Sequence, residues 1–252
     1  MTWKFARNRL VAIALMAATL PFTCARGPGQ NVTQKMEARV DVVEQATGFG
    51  YKCGWLAIRS SDPNEVITRL GIRDARKAPW REGVIAAYER DKDRVVYVTP
   101  VIDGWVLVAG TSLFSAVGRK KEDEIRFPEY VASLGRSLGT VVQYFATHRV
   151  SEAHYWILAD GGHVVRAYAT GDSEVIYDKG DHTPAEKELG INFDLNAEGP
   201  LFSKENPQPF REWDSHQVNE KMVMQVASRW SVNPSILEQR RLPQGWLGTY
   251  RP

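Results

Sequence analysis

The sequence predicts an α+β fold: a ferredoxin-like split β-α-β core extended into a larger antiparallel sheet with helices on one face, plus a C-terminal helical hairpin. Three observations predict it. The elements run strand, helix, two strands, helix, strand, which is the split β-α-β order. Arg94–Gly110 holds two runs of β-branched and aromatic residues, Val95–Thr99 and Trp105–Ala109, joined through Pro100, Asp103 and Gly104. Asp-Gly between such runs signals a hairpin, because both residues tolerate the positive φ of a tight turn. Strands that are apolar at nearly every position belong in the middle of a sheet, with at least one full face covered. Third, Asn219–Gln239 reads as helix, turn, helix after the strands have ended.

The N-terminus is an address. Met1–Arg9 carries Lys4, Arg7 and Arg9 without an acid, and Leu10–Phe22 is apolar, the pattern of a secretory signal peptide and short for a membrane span. Thr23-Cys24-Ala25 offers small residues for cleavage after Ala25, so 1–25 is read as the leader. A retained anchor and lipidation at Cys24 are the alternative fates. Pro21, Phe22 and Thr23 weaken the second, because a lipoprotein signal usually ends in Ala or Gly just before the cysteine. Residues 26–34 form a flexible lead; its Asn31-Val32-Thr33 acceptor matters only in a eukaryotic pathway, and the export signal is read as bacterial. Residues 35–252 form one α+β domain, loop-rich and helical over 179–252.

Lys35–Gln45 is read as a short helix and Gly48–Gly54 as a turn. Trp55–Arg59 is a strand. Asp62 caps a helix at Pro63–Leu70, with Glu65 placed to return the bond, Val66, Ile67 and Leu70 on the buried face, and Gly71 as C-cap. Ala78–Arg90 gives a second helix with Trp80, Ile85 and Tyr88 inward. After the hairpin, Arg119–Arg126 is a charged loop, and Phe127-Pro128-Glu129 opens a helix to Leu138 that Gly139 stops. Thr140–Thr147 is a strand, Tyr155–Ala159 and Val164–Thr170 a hairpin about Gly161-Gly162, and Ser173–Tyr177 an edge strand. Thr183-Pro184-Ala185-Glu186 is a capping box. Asn219–Trp230 is amphipathic through Met222, Val223, Val226 and Trp230; a second helix follows at Ser235–Gln239. Leu242–Pro252 is loop-like, with Trp246 and Tyr250 docking it on the body.

Composition is that of an ordinary globular protein, and the net charge of +2 excludes a whole-molecule field for nucleic acid. Removing the leader leaves the chain slightly acidic. Of the two cysteines, Cys53 remains after cleavage and is read as a buried structural thiol. The Lys221–Arg240 pair looks like a helix-turn-helix, yet its second helix offers few base-reading side chains, so it is read as a packing hairpin. His148, His154 and His163 fall in one sheet region, but no metal-binding spacing such as H-x-x-x-H or H-E-x-x-H occurs, and no metal or cofactor is assigned. The acids Asp172, Glu174, Asp178, Asp181 and Asp194 lack an EF-hand spacing and read as a solvated loop. Neither G-x-S-x-G nor a phosphate-binding glycine motif is present. Trp105 and Trp156 are the tryptophans placed to line a cleft, although an aromatic within a predicted element is more often core.

The segments Gly54–Pro63, Val96–Gly110 and Val142–Val150, with the Trp230–Pro234 turn, resemble a set found in uncharacterised bacterial proteins. The resemblance covers most of the chain after the leader. It implies a single compact unit and carries no catalytic residue; many such proteins lack a signal peptide, which implies that this chain is an exported variant.

The expectation from sequence is therefore an exported periplasmic or secreted protein that binds a protein or small molecule in the envelope and catalyses nothing. An immunity-type protein that sequesters a toxin is a sub-case. Its candidate surface comprises His148, Arg149, His154 and His163, with Trp105 and Trp156. The alternative is an envelope hydrolase in which His148, His154 and His163 converge with an acid or a cysteine. A third class, a structural component on a retained N-terminal helix, is the one reading that requires the membrane, apart from lipidation at Cys24.

Overall fold

The computed structural model describes residues 42–89, 93–115, 121–172, 174–201 and 203–251. The predicted leader, the Cys24 site, the Asn31 acceptor and the flexible lead lie outside them. Four strands and two helices make the predicted core: β2 (Cys53–Arg59), α1 (Pro63–Leu70), β4 (Val95–Val98), β5 (Trp105–Gly110), α4 (Lys121–Leu138) and β6 (Val142–His148). They stand in the order β4-β5-β2-β6, every neighbour antiparallel. Both helices bury their apolar stripes on one face. Val66, Ile67 and Leu70 of α1, with Phe127, Val131 and Ala132 of α4, pack on Leu56, Ile58, Val106 and Val108.

Local chemistry explains the joints. Asp103 and Gly104 take φ of 52° and 84°, and Ile102 and Trp105 exchange hydrogen bonds of 2.7 and 2.9 Å across them. The Asp62 carboxylate accepts from Asn64 N at 2.8 Å, capping α1, and Gly71 closes the helix at φ 67°. Glu65 does not return the bond. Its carboxylate pairs with Arg69 one turn on, at 2.9 Å.

The sheet grows to nine strands, β3-β11-β4-β5-β2-β6-β7-β8-β9, adding β3 (Arg73–Ala78), β7 (Ala153–Asp160), β8 (His163–Gly171), β9 (Glu174–Lys179) and β11 (Gly245–Thr249). The expectation of helices on one face is corrected: they cover both. Alternate residues Trp55, Ala57, Tyr97, Leu107, Phe145 and Trp156 face away from α1 and α4. They pack under Trp80, Val84 and Ala87 of α2 (Trp80–Glu89) and under Val223, Val226 and Ala227 of α7 (Glu220–Trp230). Strands apolar at every position expose an oily surface unless both sides are sealed. α2 and the C-terminal α7 together seal the second side. In α2 it is Val84 that is buried, and Ile85 is 42% exposed.

Other boundaries move for identifiable reasons. Of the helix expected over Lys35–Gln45, residues Val43–Gln45 form β1, paired with β10 (Arg241–Pro243); 35–41 lie outside the described residues. The segment expected as a charged loop is α4 from Lys121, with Pro128 inside it. Glu122, Asp123 and Glu124 suit the helix N-terminus. The bond lost at the proline is offset by packing: Tyr155 OH donates to Glu124, and Phe127 meets the Tyr144 ring edge-on at 4.7 Å. Ser235–Gln239 is a 3₁₀ turn from Pro234. The tail does more than dock, because β11 enters the sheet between β3 and β4. Among the described residues no helix is long and apolar enough to cross a membrane.

Candidate functional site

The three histidines do not converge. Strand register pairs His148 with Ala153 and Thr147 with His154. Cross-strand partners share a face and successive residues alternate, so His148 and His154 project from opposite faces. His154 is buried on the Trp156 side, its Nδ1 2.8 Å from Thr147 Oγ1; burial pushes the imidazole down to about 4, so the ring is neutral at pH 7. His148 is half-buried, with Nδ1 3.1 Å from Ser151 Oγ, and Arg149 is exposed in the turn. His163 is exposed opposite Asp160, six positions along β7 from His154 and thus about 20 Å away.

Cys53 gives them no nucleophile. Thr147 stands between it and His154 in the cross-strand row. The thiol is fully buried, 3.2 Å from the Tyr88 hydroxyl, and burial holds it up at about 11. Among the described residues no three His, Cys, Asp or Glu side chains group to hold a metal. Trp105 is half-buried against the second core, and Trp156 is buried within it, its Nε1 donating to Glu186 Oε1 at 2.8 Å. The two tryptophans therefore act as packing residues.

Sequence reasoning missed a buried ionic network on the same face. Arg166 and Glu186 are both fully buried, with Nε to Oε1 at 2.8 Å, and Arg166 Nη1 also donates to Asp178 and, at 3.1 Å, to Lys179 O. Glu186 is the third residue of α5 (Pro184–Glu188), and its Oε2 accepts from Thr183 N at 2.6 Å and from the Thr183 hydroxyl at 2.8 Å. The capping box was legible; its tie to an arginine two strands inward was not. Phe193 covers the guanidinium, 5.4 Å from Cζ, and stacks on His182 at 4.2 Å. The arrangement locks the 180–193 segment to the sheet, with Arg166 and Glu186 sealed from solvent.

Three of the depressions among the described residues differ in their lining. One of about 500 Å³ lies beside the first turn of α1, and several of its lining groups are already bonded: Thr140 Oγ1 donates to Arg59 O at 2.8 Å, Ser60 Oγ accepts from Asp62 N at 3.1 Å, and Glu65 pairs with Arg69. One of about 450 Å³ lies over the Arg166 anchor, at Asp178 and His182. The third, about 610 Å³, is a cleft between the 48–51 loop, α2 and the 3₁₀ turn (Pro234–Gln239).

The loop at this cleft is fixed from two sides. Phe49 N donates to Pro234 O at 3.2 Å, and Gly50 N donates to the Tyr88 hydroxyl at 3.0 Å, which itself lies 2.8 Å from Tyr51 O. Glycine is required here. Gly50 has φ 119°, and a Cβ at Gly48 would stand 2.8 Å from Ser235 O. Phe49 and Val84 give the cleft an apolar floor, while Tyr51 and Ile85, 44% and 42% exposed, form its rim. Glu89 and Glu238 lie on its margin, both exposed. Such a site can hold an apolar body; it presents no nucleophile paired with a base. No protein-family model, curated protein or solved structure matches this chain.

Proposed function

We propose that the protein is a non-enzymatic binding module of the bacterial cell envelope, and that its ligand enters the cleft between the 48–51 loop, α2 and the 3₁₀ turn. The observation that carries this reading is the rim. Tyr51 and Ile85 stay largely exposed beside a buried apolar floor, in a concavity of small-ligand size. The separation of the histidines supports binding over hydrolysis. The envelope address rests on the Lys4–Phe22 pattern, and the mature protein from envelope preparations is expected to begin at Arg26 by intact mass. The neutral fluorophore N-phenyl-1-naphthylamine tests the cleft. Saturable fluorescence is expected for the native protein and its loss for Ile85→Asp at an unchanged unfolding midpoint. Equal uptake by both proteins overturns the assignment.

A further inference from the structure

We infer that the group this cleft takes is a small organic cation, an alkylammonium carried on an apolar body. The inference rests on the binding reading above and adds the charge of the ligand. Three aromatic side chains, Phe49, Tyr51 and Tyr88, and two carboxylates, Glu89 and Glu238, line the cleft, and no Lys or Arg is among its described lining residues. A cation gains from aromatic π-faces as well as from carboxylates, whereas a neutral ligand gains only from burial.

The carboxylates are available. Neither has an ion-pair or hydrogen-bond partner among the described residues, although Glu65, Glu82, Glu129 and Glu188 at other exposed sites are each paired with an Arg or Lys. Glu89 is also the last residue of α2, a ten-residue helix with no basic residue in its last turn.

Anions are disfavoured by the same geometry. Three donors along its wall are already used: Phe49 N by Pro234 O, Gly50 N by the Tyr88 hydroxyl, and the Ser235 hydroxyl by Asn233 Oδ1 at 2.7 Å. A volume of about 610 Å³ fits a small molecule, so the occupant is a free organic cation.

The test titrates the protein with choline and with its uncharged isostere, 3,3-dimethyl-1-butanol, following backbone amides by NMR. Choline is expected to saturate shifts at Tyr51, Ile85 and Tyr88, and the isostere to bind at least roughly tenfold more weakly. In Glu89→Gln/Glu238→Gln, with an unchanged melting temperature, choline affinity is expected to fall about tenfold and that of the isostere to stay the same. Equal binding of the two compounds, or no effect of the double substitution, overturns the cation while leaving the cleft as a neutral site. Shifts produced only by a lysine-rich peptide overturn the free small molecule in favour of a protein partner. If neither compound shifts these amides and N-phenyl-1-naphthylamine is not taken up, the cleft reading itself falls.

Discussion

At His154 burial and a neighbouring charge act in opposite directions on one proton. Desolvation lowers the imidazole from its ordinary 6.5 to about 4, and the charge of Glu152 opposes that only in part. The sign follows directly. Below pH 6.5 the unfolded chain takes up the proton and the folded chain does not, so stability is present above that pH and is lost as pH falls toward 4. The loss over the whole window is about 3 kcal/mol. Replacing His154 by Asn keeps a polar atom for Thr147 and removes the titration. Melting temperatures between pH 7 and 4.5 are therefore expected to fall less steeply in His154→Asn than in the native protein; parallel slopes would refute the coupling. Glu186 is sensitive for a different reason. Its four contacts are all donors: Trp156 Nε1, Arg166 Nε, Thr183 N and the Thr183 hydroxyl. An amide must turn an NH₂ toward donors whichever way it is flipped, and the buried guanidinium is left with only the partly exposed Asp178 as counter-ion. Glu186→Gln should cost about 3–5 kcal/mol in urea unfolding, far more than the same change at exposed Glu188.

Among the elements, α2 shows how packing can reverse a propensity. Gly83 lies inside the helix, where alanine ordinarily gains about 1 kcal/mol. A Cβ there would overlap the Tyr97 ring, which is held by the Trp80 ring at 5.3 Å and by a 3.0 Å bond from Gly245 N to its hydroxyl. Gly83→Ala is expected to destabilise by about 1–3 kcal/mol, read from the denaturation midpoint. Elements whose signal is local were legible in the sequence. The Asp62 cap and Gly71 stop bound α1, and Asp103-Gly104 makes the hairpin, because each rests on residues a few positions apart. Elements defined by distant partners were not legible. β3 is Arg-Asp-Ala-Arg-Lys-Ala, exposed at all but Ala78, and is a strand because β11 templates it; its charges guard a sheet edge. The start of α4 was hidden by Pro128, which is read as a beginning when only neighbouring residues are considered. Apolar runs showed that the strands were covered without showing by what, so the second helical face went unseen.

The same limit governs the whole molecule. The cleft is lined from residues near 49, 85 and 238, which meet only after the C-terminal helices have packed on the sheet, and no local pattern announces it. The last strand governs that assembly. β11 hydrogen-bonds β3 on one side and β4 on the other, carries Leu247 into the second core, and leads to Tyr250 in the first. Until it arrives, β3 has no partner strand and β4 has one bare edge, so both cores stay open at that end. Burying one large apolar side chain contributes roughly 1.5–3 kcal/mol, and a domain is stable by only about 5–15 kcal/mol. Losing Leu247, Tyr250 and two strand pairings together therefore removes most of the margin. A chain ending at Pro243 is expected to keep helical and strand signals in far-UV circular dichroism, to lose cooperative urea unfolding, and to bind 8-anilinonaphthalene-1-sulfonate through its opened cores. A truncated chain that unfolds in one sharp transition near the native midpoint would show instead that the core from β4 to β9 stands without its last strand.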